Sequence, residues 1–201
     1  MSLFVPYHTM VEGEDATLSP MSQYSSRDPW FSVPSMQSRV SNLCIQLMFG
    51  LCDGDMEPLE PYVTPELLRH FTDQAEALRR SGQQMHVERP CVLRSEILGF
   101  RALPGEDHVH VRCQTRCVQY VTDSRGRVIS GDRSREEFSA AVWVFSRPVD
   151  EKTERNQDFR SWHCPGCGAA FNVYTSAKCP YCGRLVPVRQ FNWIANAILD
   201  A

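Results

Sequence analysis

No stretch of this 201-residue chain approaches the roughly 18 consecutive apolar residues that a membrane-spanning helix needs. Residues 1–27 show neither a basic start nor a long apolar core, so no secretory leader is expected. A dominant charge is missing too. The 21 Lys and Arg against 24 Asp and Glu leave a net −3 and a pI near 6.1. That excludes a global electrostatic pull toward nucleic acid or an anionic membrane. There is no Gly-rich phosphate loop, nucleophile elbow or catalytic metal triad. Hydrophobic residues at 42% and charged residues at 22% describe an ordinary globular protein, long enough for one medium domain and a small module.

What is present is cysteine, nine in all. Four of them form two Cys-x-x-Cys-Gly knuckles, Cys164-Pro-Gly-Cys167-Gly and Cys179-Pro-Tyr-Cys182-Gly. Pro sets the turn, and the Gly after the second Cys frees the backbone amides to point at the sulfurs. Two such turns bring four thiolates to the corners of a tetrahedron. The expectation is one structural Zn²⁺ held by Cys164, Cys167, Cys179 and Cys182. Four sulfurs close the coordination sphere, so no position is left for a reacting water. Two redox dithiols would more usually carry one pair at a helix start within a βαβ unit, and no such unit is legible. The other five, Cys44, Cys52, Cys91, Cys113 and Cys117, are an odd number and read as small apolar core residues. Cys113 and Cys117 lie about 13 Å apart along one strand, too far to bridge each other. A reducing, cytoplasmic setting follows.

Residues 1–27 are polar and irregular and read as a flexible arm. Met36, Val40, Leu43, Cys44, Leu47, Met48 and Leu51 recur with helical period. The helix is capped by Ser35 and ended by Asp53-Gly54-Asp55. Thr64-Pro65-Glu66 opens a second helix, with a stripe of Leu67, Leu68, Phe71, Ala75 and Leu78, and Gly82 stops it. The period then shortens to two. Alternation from Met85 to Ile97 reads as a strand that Pro90 demotes to an edge or bulge. A second strand runs through Val109, Val111, Cys113 and Cys117 and slips phase at Val118, which suggests a bulge. Phe138 to Phe145, apolar on both faces, reads as a central buried strand. Residues 148–158 are charged and read as a linker. Residues 159–201 hold the ribbon and a tail expected to return and bury Trp193 and Ile194. Helices first and strands after is an α+β order.

Several motifs in this order resemble the inner-membrane translocase subunit 44-like domain family, of the bacterial type that ends in a zinc ribbon. They are Asp28-Pro29-Trp30-Phe31 before the first helix and Tyr62-Val-Thr-Pro-Glu-Leu before the second. Gly131-Asp132 follows, then Phe138 through Val142-Trp143-Val144-Phe145-Ser146-Arg147. The last is Trp162-His-Cys-Pro-Gly-Cys-Gly-Ala through Phe191-Asn-Trp193-Ile194. The resemblance covers residues 28–199. It implies helices packed on a curved antiparallel sheet, a cystatin-like or nuclear transport factor 2-like cone over residues 28–147, with a hydrophobic pocket at its open end. Mitochondrial relatives are peripheral scaffolds at the inner membrane.

On this reading Val87, Cys91, Leu93, Val109 and Val111 line the cone pocket. No carboxylate–His pair converges with them. The expected function is a non-enzymatic scaffold or carrier, binding a protein segment or an apolar ligand and contacting the membrane peripherally. Two alternatives stand beside it. One is a small-molecule enzyme using the cone pocket. The other is a nucleic-acid-binding ribbon protein, for which Lys178, Arg184 and Arg189, interleaved with Phe171, Tyr174 and Tyr181, supply few charges. His108-Val-His110 and Arg79-Arg80 read as a solvated strand face and a helix end.

Overall fold

The computed structural model describes residues 17–155, 162–171, 178–186 and 193–201. Helix α1 spans Val33–Asp53. Its cap is Ser32 rather than Ser35: the Ser32 hydroxyl accepts from the Ser35 N–H at 3.2 Å, and a Pro sits in the first turn, where its missing N–H is not needed. Gly54, at φ 72, ends the helix in the left-handed conformation. Helix α2 spans Pro65–Arg80, with Thr64 as cap and Arg79 and Arg80 in its last turn.

Three long strands follow: β1 Gln84–Leu103, β2 Glu106–Thr122 and β3 Val128–Pro148. Trp162–His163 (β4) and Ala170–Phe171 (β5) pair as a two-stranded ribbon, and the tail forms β6, Ile194–Asp200. The main sheet has the antiparallel order β1-β2-β3-β6. The chain is thus α+β, helices before a four-stranded sheet, and β3 is central because the tail adds a strand outside it.

The inner face of the sheet carries Phe100, Val109, Val111, Cys113, Ala141, Trp143, Phe145, Ala195 and Ile198, all buried against the stripes of α1 and α2. Each large apolar side chain so buried contributes about 1.5–3 kcal/mol. Register slips punctuate the ladder. β1 shifts between Glu88 and Cys91, between Val92 and Arg94, and between Ile97 and Gly99. Arg89 takes φ +51 in the first slip. β3 bulges where Val118 pairs with Glu136 but Tyr120 pairs with Gly131. Only glycine fits there: at φ +78, a Cβ on residue 131 would lie 2.3 Å from the Gln119 carbonyl oxygen.

Two expected boundaries move. The arm expected over 1–27 is docked from Ser19, which pairs with Phe100 on the edge of β1; a 3-10 helix at Met21–Ser26 then buries Tyr24. The expected linker 148–158 begins inside the fold. Pro148 ends β3, and Thr153 is buried against Asp28, donating to its carboxylate from N at 3.1 Å and from Oγ1 at 2.6 Å. Apolar docking at Tyr24 and satisfaction of a buried carboxylate outweigh the polar composition of both segments. Residues 1–16, 156–158, Phe159, Tyr174, Val188, Arg189 and Phe191, and the side chain of Trp162, lie outside the described residues.

Candidate functional site

The knuckle cysteines converge as their spacing requires. The four Sγ atoms all lie within 4.8 Å of one another. Cys164 and Cys182 are 3.6 Å apart and Cys167 and Cys179 3.7 Å apart. Sulfurs placed about 2.3 Å from a central ion at tetrahedral angles would stand roughly 3.8 Å apart, so the cluster can hold a metal ion. Gly168 and Gly183 close the two turns, their N–H groups donating to the carbonyls of Cys164 and Cys179. Burial pushes the Cys164 thiol up, but N–H groups of Gly166 and Cys167 outweigh it and bring the group down to about 7. Cys167 goes the other way, to about 12: the Ala169 N–H lowers it, but burial and the neighbouring sulfurs raise it further. Four crowded sulfurs do not all ionise alone; a cation among them removes that conflict.

The ribbon is not a free appendage. Cys164, Phe171, Cys179 and Val186 form one apolar cluster with Ile194 of β6, and Tyr62 packs against it. Lys178 meets Glu57 at 3.2 Å. One of the three cations read as a candidate nucleic-acid contact is therefore paired across to the main domain.

The expected pocket does not assemble. Val109 and Val111 are fully buried in the core, Val87 and Cys91 are half-buried, and Leu93 is 48% exposed. The slips in β1 explain this. Cys91 pairs with Arg116, and Ile97, not Leu93, pairs with Val111. Since a one-residue slip turns side chains to the other face, the alternation read from Val87 to Leu93 does not carry into the face of Val109 and Val111.

A cleft of about 640 Å³ opens elsewhere, where the C-terminal ends of α1 and α2 meet the start of β1 and the end of β2. Leu51, Ala75, Leu78 and Met85 supply its apolar wall, and Arg79, Arg133, Asp53 and Asp123 its polar part. His86 stacks on Tyr120 at 4.7 Å, and its Nε2 is 2.9 Å from Thr122 Oγ1. Arg133 lies over the Tyr120 ring at 5.1 Å. None of the five expected pocket residues lines this cleft. Arg79 was legible only as a helix end, and no periodic signal joins it to Arg133.

At the opposite end of the sheet, a buried polar network joins distant parts of the chain. Arg147 meets Asp28 at 2.5 Å and Thr153 at 3.1 Å, and lies over Trp193 at 4.4 Å. Tyr24 donates to Asp107 at 3.0 Å, and Arg27 pairs with Asp107 at 2.7 Å. Burial raises the Asp28 carboxyl, but Arg147 and Thr153 outweigh it and hold it below its usual range. His108, on the expected solvated face, is buried and paired with Glu106 at 2.8 Å, while burial first, then Arg101 and His108, push His110 down to about 4.

The sequence profile of a family described as "Tim44-like domain" matches residues 19–160, starting at the residue where the chain docks onto β1. The chain is 21% identical over 150 residues to the Arabidopsis thaliana protein named mitochondrial import inner membrane translocase subunit TIM44-1. The match covers 72% of this chain and 30% of that relative, so the chain spans under a third of its length. Among solved structures, the intermembrane space region of chloroplast protein ARC6 aligns over 91% of this chain and 98% of its own, at 8% identity and a TM-score of 0.38. No described helix is long and apolar enough to cross a membrane.

Proposed function

The chain belongs to the Tim44-like domain family, and from that premise we propose that it is a non-enzymatic scaffold that binds an extended protein segment and serves protein transport at a membrane surface. The observation that carries this reading is the filled interior. Val109, Val111, Trp143 and Phe145 from the sheet meet Val40, Leu43, Leu47 and Met48 from α1, leaving recognition to the surface. The cleft at the ends of α1 and α2 is the place we assign to the segment. Its volume suits a few residues of chain, its apolar wall takes side chains, and Arg79 and Arg133 can donate to carboxylates. The ribbon would carry one structural Zn²⁺ on Cys164, Cys167, Cys179 and Cys182; four thiolates favour that ion, and a closed sphere leaves it a bracing role.

The hydrogen bond between His86 and Thr122 inside the cleft favours a second reading, a hydrolytic enzyme with Thr122 as nucleophile. Against it, no carboxylate among the described residues hydrogen-bonds His86 to orient it as a base. Fluorescence anisotropy with a labelled, reduced and carboxymethylated polypeptide tests the scaffold. Saturable binding is expected, weakened at least tenfold by Arg79→Glu with Arg133→Glu. Binding indifferent to both substitutions would refute the assignment of the cleft, and turnover of any ester or peptide substrate abolished by Thr122→Val would establish the enzyme instead.

A further inference from the structure

Away from the metal cluster and the cleft, two thiols face each other in the core. Cys44 on α1 and Cys113 on β2 are both buried, with their Sγ atoms 3.2 Å apart. That is closer than either ribbon pair, at 3.6 and 3.7 Å. A disulfide requires about 2.05 Å, so the sulfurs stand roughly 1.2 Å short of a bond. We propose that Cys44 and Cys113 are a peroxide-sensitive dithiol whose closure to a disulfide fastens α1 onto β2.

Three features favour this site over the other cysteines. The first is contact: Cys44 donates its S–H to Cys113, so the reacting atoms already touch. The second is a difference between the two thiols. The Cys44 hydrogen bond outweighs burial, with Ser95 adding to it, and holds the Cys113 thiol below its ordinary value, while burial pushes Cys44 up. Cys113 is therefore the sulfur that ionises first and attacks. The third is a way in. Gln37, Ser41 and Ser95 are half-buried and form a polar seam between α1 and β1. The Ser41 and Ser95 hydroxyls are 2.9 Å apart, and the Gln37 amide donates to the Ser95 carbonyl at 2.7 Å. Ser95 pairs directly with Cys113 across the strands. The seam thus carries polar groups from the half-buried surface of α1 and β1 down to the buried Cys113, and it is the side from which a small polar oxidant is expected to enter.

The chemistry balances with hydrogen peroxide. The Cys113 thiolate attacks one peroxide oxygen, the O–O bond breaks, and the hydroxide that leaves takes a proton to become water. The Cys44 sulfur then displaces the hydroxyl from the Cys113 sulfenic acid; that hydroxyl departs as water with the Cys44 proton. Two thiols and one peroxide give one disulfide and two waters, with two electrons passing from sulfur to oxygen.

The test uses the full chain purified with its ribbon metal. After exposure to hydrogen peroxide, the protein is denatured in alkylating reagent and digested for peptide mass mapping. The expected result is a Cys44–Cys113 linked peptide, two fewer alkylated thiols, and a melting temperature raised by roughly 5 °C or more, since the bond closes a loop of about 70 residues. Cys52 and Cys117 supply an internal control. They lie on the same two elements and Cys52 feels the charge of Cys117, but they share no hydrogen bond, and both should stay alkylatable. Cys44→Ser and Cys113→Ser should each abolish the linked peptide, though the wild-type map decides the matter if either fails to fold. Full alkylation of Cys44 and Cys113, a bond from either to another cysteine, or sulfonic acid at Cys113 without a link would overturn the proposal. A linked pair with unchanged melting temperature would overturn the fastening.

Discussion

Replacing Arg147 by Met should be among the most destabilising single changes in the main domain. The guanidinium and the Asp28 carboxylate are almost wholly removed from solvent, at 3% and 0% side-chain exposure. Removing the cation leaves Asp28 buried with, among the described residues, the Thr153 N–H and hydroxyl as its remaining donors. Breaking a buried pair from one side costs about 3–5 kcal/mol, because the surviving charge has lost its compensation. For a domain of this size that lowers the melting temperature by roughly 6–20 °C. The stacking contact with Trp193 supplies a local probe, since its fluorescence should change in the folded variant. The double variant Asp28→Asn with Arg147→Met should recover part of the loss, because no buried charge then remains. The pH dependence gives a second check. Asp28 has a folded-state pKa held below its unfolded value, near 3.9. Its contribution is therefore complete above that value and is lost as pH falls through the folded-state pKa. In the Arg147→Met variant that acid-side loss should shrink. Urea melts by circular dichroism between pH 2 and 7 measure all of this. A cost for Arg147→Met below about 1 kcal/mol, or strict additivity in the double variant, would refute the reasoning.

Metal analysis should find one Zn²⁺ per chain, and Cys164→Ser should remove it and unfold the ribbon, since metal binding supplies most of the folding energy of so small a module; an iron–sulfur chromophore or zinc retained by the variant would contradict this. His110 is held neutral, its pKa pushed by burial down to about 4. The unfolded chain takes up that proton first, so stability should fall as pH drops from about 6.5 toward 4; His110→Gln should flatten that interval, and an unchanged slope would show that His110 is not its source.

Where a signal was local, the sequence carried it. The cysteine cluster was legible because each Cys-x-x-Cys-Gly turn is built by its own five residues. The helices were legible because Thr64, Pro65 and Gly54 act within one turn of the backbone they cap or end. The pocket was not. Alternation from Val87 to Leu93 assumes an unbroken ladder, and three slips in β1 break it. Pro90 announced one of these and Gly99, a glycine inside a strand run, marks another; nothing near Arg94 announced the third. The cleft was equally hidden, since Arg79 and Arg133 come from different elements and meet only when the sheet lays its far end beside both helix termini.

The sequence by itself determined the order of helices and strands, the cap of the second helix, the four-cysteine cluster and the burial of Trp193 and Ile194 on the return of the tail. These follow from hydrophobic period, turn chemistry and ligand spacing, which act over a few residues. Only the tertiary structure decided which strand faces turn inward, that the tail becomes β6, and that Asp28 meets Arg147 across 119 residues. It alone brought Cys44 to Cys113 across 69. Such pairings depend on the register of strands and the seating of a helix, and these are set by packing the whole core at once rather than by any local run of residues.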